Sequence, residues 1–162
     1  MSITDNSSAL TDALSAASRA IISPPDQDGW FDAVPGERLR VRVPSKAVDG
    51  RYTIVDGIMQ PGTSVPLHFH REDEIFEVHE GAVTFQVGAD RIEAGPGTIL
   101  VIPAGVHHAW SNFSGSPIRM MAIFVPGGME AFFEQLAGLS REQIDQLAAS
   151  YGMVVVGPPL GA

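Results

Sequence analysis

Three histidines and a glutamate stand out because their types and spacing suit a bound transition metal. His68 and His70 are two residues apart, so on a β-strand both imidazoles point to one face. Glu74 follows four residues later and heads a new alternation in which Glu74, Phe76 and Val78 share a face. Two imidazoles and a carboxylate converging in an enclosed space make a facial metal site with open positions. Further on, Pro103 and Gly105 mark a tight turn that leads into His108, with Trp110 and Asn112 on the same side. His108 can thus enter from an adjacent strand as a fourth ligand. Nitrogen and carboxylate donors of this kind suit one divalent transition metal, whether Fe, Mn, Ni, Cu or Zn. Glu74 has a second role open to it: a carboxylate beside a metal can take a substrate proton.

The elements that must place these residues are legible from periodicity. From about Arg38 to Pro126 the apolar pattern has a period of two. Leu39, Val41 and Val43 alternate with Arg38, Arg40 and Arg42. Residues 52–59, 74–78, 83–87, 98–102 and 118–125 predict further strands, and Gly or Pro separates most of them. The chain holds 17 Gly and 12 Pro, a frequency of turns that favours an all-β sandwich or barrel over a helical bundle. Residues 8–21 carry Leu10, Ala13, Leu14, Ala17 and Ile21 at helical spacing. Met129 to Leu139 predicts a helix, a second helix is expected after Ser140, and Tyr151 to Val156 predicts a terminal strand. The expected organisation is an N-terminal polar segment and short helix over 1–35, a barrel over 36–128, and C-terminal helices and tail over 129–162 packing on the barrel.

Composition narrows the function. The formal net charge is −9 with no basic stripe, which argues against nucleic acid and anionic membrane as partners. There is no cysteine, so a disulfide framework and a thiolate metal site are excluded. No apolar stretch approaches the ~18 residues of a membrane span, and Met1 to Leu10 does not resemble a secretory signal. A cytoplasmic protein is expected.

The two histidine stretches together resemble the cupin superfamily. Residues 62–81 run Gly62, five residues, His68-x-His70, three residues, Glu74, six residues, Gly81, which is the pattern of the first cupin motif. Residues 97–112 run Gly97, five residues, Pro103-x-Gly105, two residues, His108, three residues, Asn112, which is the pattern of the second. The short distance between them is similar to that of small bacterial monocupins, and the chain looks most like the quercetin-dioxygenase-like branch. The resemblance implies a double-stranded β-helix (jelly-roll) barrel with short terminal helices. It implies metal ligation by His68, His70, Glu74 and His108, with Glu74 also the base. Phe76, Trp110, Met120 and Phe124 have the phase to line an apolar substrate pocket. His79 and His107 are out of phase and expected at the surface or beside the ligands. Glu72, Asp73, Glu77 and Glu80 are expected on a solvated face.

Three functions follow as expectations: a dioxygenase-like enzyme acting on a small aromatic or enolic molecule, a non-redox isomerase, cyclase or lyase, and a non-catalytic small-ligand binder. Pairing into a homodimer is expected, since an exposed strand edge otherwise invites aggregation.

Overall fold

The computed structural model describes residues 20–25 and 28–161. Among the described residues, eleven strands form two antiparallel sheets. The first has the order β1 (Phe31–Asp32), β2 (Glu37–Val43), β3 (Thr53–Met59), β10 (Ile118–Val125), β5 (Asp73–Glu80), β8 (Ile99–Ile102). The second has the order β11 (Val154–Pro159), β4 (Pro66–Phe69), β9 (His108–Ser111), β6 (Val83–Val87), β7 (Asp90–Ala94). Two facing antiparallel sheets with crossing connections make the double-stranded β-helix. A 3-10 turn, Ser45–Val48, and two helices, α1 (Glu130–Phe133) and α2 (Arg141–Ser150), complete the described elements. No described helix is long and apolar enough to cross a membrane.

The alternation in sequence becomes a division of faces. Along β5, Glu74, Phe76 and Val78 are buried, while Ile75, Glu77 and His79 face outward and are half-buried. Phe76 and Val78 meet Phe85 and Trp110 of the opposite sheet, with Met59, Ile102, Ile118 and Met120 closing a first core. Gly81 turns β5 into β6 at φ 80°; a side chain there would meet Ile118 Cγ2 at 2.6 Å, so this crossover from the first sheet to the second requires glycine.

A second core lies over the other half of the first sheet. Leu39, Val55 and Phe124 pack there against Met129, Phe132, Leu136 and Ala148 from the C-terminal segment. The C-terminal tail covers this side of the sheet. Glu130 fastens it. Its Oε1 accepts hydrogen bonds from the Ser45 amide at 2.7 Å and the Ser45 hydroxyl, and its Oε2 accepts from the Thr53 hydroxyl and the Gly128 amide. These donors hold the Glu130 carboxyl below its ordinary range despite the opposing effect of burial.

Several elements differ from the sequence reading, each for a physical reason. The helix expected over 129–139 is regular only over Glu130–Phe133, and tighter turns with i to i+3 hydrogen bonds carry the chain to Leu139. Those turns still place Phe132 and Leu136 in the second core. The terminal strand starts three residues later than expected because Gly152, at φ 79°, first closes the end of α2. Its Pro158 and Pro159 are tolerated because β11 is an edge strand. β7 escapes the sequence reading because Ile92 and Ala94 are its only apolar residues, too few to mark an alternation. Most of the helix expected over 8–21 lies outside the described residues, and Ala20 and Ile21 are not helical.

The largest departure is Arg40. Alternation places it on the outer face of β2, yet its side chain is 1% exposed. It pairs at 2.7 Å with Asp56 on β3, also 1% exposed, and its guanidinium lies 4.7 Å from the Trp30 ring centre. Arg42 reaches the same Asp56 oxygen at 2.7 Å, and the segment from Ser23 to Pro25 supplies further acceptors to both arginines. The charged outer face of β2 is thus covered by the chain that precedes it.

Candidate metal centre and cavity

His68 on β4 and His108 on β9 are register partners, and their ring centres are 4.3 Å apart. His70 follows β4 directly, its ring centre 5.6 Å from His68 and 5.0 Å from His108. All three side chains are buried, and each offers a ring nitrogen within 4.8 Å of the others. Glu74 enters from the facing sheet on β5. Its Oε2 lies 3.2 Å from His70 Nε2 and 3.0 Å from His108 Nε2.

Backbone contacts between the two motifs fix this arrangement. The turn before His108 donates the Gly105 amide to the His70 carbonyl at 2.8 Å. The Asp73 carboxylate accepts the Ala104 amide at 2.8 Å, tying the residue before Glu74 to the same turn. Asn112 donates to the Met59 and Ser116 carbonyls and accepts from the Ser114 amide, closing the loop after β9.

The donor set fits a cation. His68 Nδ1 lies 2.8 Å from the Pro66 carbonyl and His108 Nδ1 lies 2.9 Å from the Val106 carbonyl. Each of these contacts requires the proton on Nδ1, so in the neutral ring Nε2 is the nitrogen left to ligate. Burial and the neighbouring His108 push the His68 ring down to about 4, which leaves it neutral and ready to ligate at neutral pH. Burial opposes charge on His70 as well, but Glu74 outweighs it and raises that ring. Burial alone would raise Glu74, yet its contacts with His108 and His70 hold it down to about 2. Three buried imidazoles and a carboxylate whose nitrogen and oxygen atoms converge form a donor set that suits a divalent cation. His68, His70 and His108 could therefore hold a metal ion.

Glu72 corrects the sequence reading. Expected on a solvated face, it is buried, with Oε2 3.4 Å from His70 Nδ1 and Oε1 3.0 Å from Arg71 Nε. It stands behind the His70 ring at ion-pair distance without hydrogen-bonding it, so any orienting effect on the ring is electrostatic. Residue type hinted at this, but only the bend between β4 and β5 turns the side chain inward. His107 is exposed and stacks on Phe69, with ring centres 5.0 Å apart, away from the centre.

The centre opens into a cavity of about 720 Å³ between the two cores. Phe76, Trp110, Met120 and Phe124, all anticipated from phase, line it. So do residues that the sequence reading missed: Met129, Phe132 and Leu136 from the tail, and Glu37 from β2. The tail residues carried a helical pattern, but nothing local says which barrel face receives them.

Comparison with known proteins agrees with this architecture. Residues 55–124 match the family described as Cupin domain. An uncharacterized protein of Streptomyces coelicolor is 28% identical over 68 residues, covering 42% of this chain and 64% of that protein, under two thirds of its length. Among solved structures, KdgF from a Halomonas species is similar with a TM-score of 0.61 at 19% identity, over 68% of this chain and 98% of that one. The polyketide cyclase RemF from Streptomyces resistomycificus is similar with a TM-score of 0.52 at 20% identity, over 74% of this chain and 81% of that one. The domain match and these likenesses support placing the barrel in the cupin superfamily.

Proposed function

Starting from a cupin barrel whose three buried histidines could hold a metal, we propose that this protein is a metal-dependent enzyme acting on a small, largely apolar aromatic or enolic molecule. The observation that carries this reading is the position of Glu74: a buried carboxylate beside three imidazoles, at one end of a mostly apolar cavity. In this reading His68, His70, His108 and Glu74 are the ligand set. A divalent metal bound there would supply Lewis acidity toward a substrate oxygen. The aromatic and methionine side chains around it exclude water and orient the ring of the substrate. Glu74 takes the proton from the enolic hydroxyl or the adjacent carbon, and the charge of Glu72 steadies the His70 ring.

We place dioxygenase-like chemistry first, in which the substrate is oxidised, O2 is reduced, and both oxygen atoms enter the product. A non-redox isomerase or cyclase reading stands second, supported by the second carboxyl group in the cavity, Glu37, which could return a proton. The similarity to a polyketide cyclase is compatible with it. The test is to strip the protein, reload it separately with iron, manganese and zinc to full occupancy, and supply 3-hydroxyflavone and acetylacetone. O2 uptake with iron or manganese, lost in Glu74→Gln, supports the first reading. Turnover with zinc without O2 moves the assignment to the second. Unchanged ligand with every metal would leave a binding protein.

We also propose a cytoplasmic homodimer. The outer face of the first sheet carries a cross-strand row of Val101, Ile75, Ile123 and Ile54, with Val101 58% and neighbouring Ile99 63% exposed. A sheet face of this kind suits a second copy of the chain.

A further inference from the structure

We infer that Glu37 is a second polar pole of the cavity, donating a proton in a hydrogen bond to a neutral oxygen of the ligand remote from the histidine centre. The substrate class is then an apolar molecule with two separated oxygen functions, one facing the histidines and one facing Glu37. This inference rests on the reading of the site given above and names the kind of molecule it takes.

The geometry is as follows. Glu37 opens β2 directly after a turn closed by its own amide donating to the Val34 carbonyl at 2.9 Å. Gly36 makes that turn at φ 86°, where a side chain would meet Thr63 Oγ1 at 2.5 Å. Glu37 is the register partner of Met59, so its side chain shares the inward face with Met59, Leu39 and Gly57. It is 8% exposed, and its neighbours on the cavity wall include Val34, Pro35 and Met59.

Such a carboxyl group ordinarily brings a cation with it. Here, among the described residues, no Lys, Arg or His forms an ion pair with Glu37. Arg38 is exposed and pairs with Asp32, while Arg40 and Arg42 point to the opposite face of the sheet, onto Asp56. From α2, Arg141 also lines the cavity, but its guanidinium is held by Asp145 at 2.9 Å. The other acidic groups lining the cavity are Asp145, paired with Arg141, and Glu74, beside the three histidines. Burial pushes the Glu37 carboxyl up to about 7; the Val34 backbone opposes this and the charge of Glu74 adds to it. Below that pH the group is a neutral acid, and a neutral acid in an apolar wall is a hydrogen-bond donor that contributes little to packing, since Leu or Met would fill the place without a polar group. Its natural complement is a carbonyl or ether oxygen on the ligand. An anionic group is disfavoured there, because it would meet no cation.

The test uses the zinc-loaded protein and 3-hydroxyflavone as parent probe. It is compared with derivatives bearing an acetyl, a carboxylate or an aminomethyl group at each of positions 7, 3′ and 4′. At one position the acetyl derivative should bind about fivefold more tightly than the parent, and the carboxylate about tenfold more weakly. In Glu37→Leu the acetyl-to-parent ratio should fall to about one, while Glu37→Gln, which keeps a donor, should retain most of it. Zinc content and circular dichroism confirm that each variant is folded. Equal ratios in wild type and Glu37→Leu overturn the inference and leave the metal-site reading intact. Preference for the aminomethyl derivative overturns it too, since Glu37 would then act as a carboxylate. Failure of every probe to bind the zinc-loaded wild type would overturn the reading of the cavity itself, and this inference with it.

Discussion

His68 and His108 face each other directly across the β4–β9 pair, each with its Nδ1 tied to a carbonyl two residues earlier in its own strand or turn. The Pro66 and Val106 carbonyls therefore fix the tautomer of both rings before any metal arrives. Replacing either histidine with alanine removes one nitrogen donor from a prepared set. We expect one metal per chain in the wild type by elemental analysis and a loss of about 10²-fold or more in affinity in either variant. Glu72→Ala, which removes only the charge behind the His70 ring, should cost about tenfold.

Asp56 is the counter-charge for a buried arginine. Asp56→Ala leaves Arg40 in place without its carboxylate and should cost about 3–5 kcal/mol in urea unfolding. The pH dependence has a definite sign. Burial opposes the charged form of Asp56, but Arg40 and Arg42 outweigh it and hold the folded-state pKa below the ordinary 3.8. The stabilisation is present above that value and is lost as pH falls through the lower folded value. The acid limb of wild-type stability should therefore be steeper than that of the variant.

Glu37 gives the opposite slope. Its folded-state value of about 7 lies above the ordinary 4.5, so the folded chain holds a proton that the unfolded chain releases between them. Its contribution is most favourable below pH 4.5 and is lost as pH rises to 7. Glu37→Gln should be more stable than wild type at pH 8, by up to about 3 kcal/mol, with the advantage vanishing at pH 4.5. Thermal unfolding of metal-free protein at the two pH values measures this directly.

The Glu130 clamp predicts a local effect. Glu130→Ala strands the Ser45, Thr53 and Gly128 donors and should cost about 2–4 kcal/mol. Amide exchange should accelerate over 129–153 well before it does in β5 or β10.

The apolar row on the outer sheet predicts pairing. Light scattering should give twice the chain mass for the wild type, and the double substitution V101K/I123K should give monomer with an unchanged circular dichroism spectrum.

What the sequence made legible follows from physics with short range. His68, His70 and the turn at Pro103 and Gly105 are set by spacing within a few residues, and β6 and β10 have the bounds that alternation predicts. Arg40, Glu72 and Glu37 were not legible, because the fate of each depends on a distant partner. Arg40 is buried by Asp56 sixteen residues away and by the chain before β1. Glu72 turns inward at a bend that alternation does not encode. Glu37 becomes part of the site only when the tail roofs the space beside it.

That roof divides the labour of the molecule. The prospective ligands sit on or beside β4, β5 and β9, each laddered to strands distant in the chain, whereas much of the surface a guest molecule would touch comes from Met129, Phe132 and Leu136, hung on the barrel through Glu130. Reaction type and guest preference are therefore written in separate stretches of chain, and exchanging Met129, Phe132 and Leu136 would retune selectivity while Glu130 and β11, whose Val155 pairs with His68, stay to support the reactive centre.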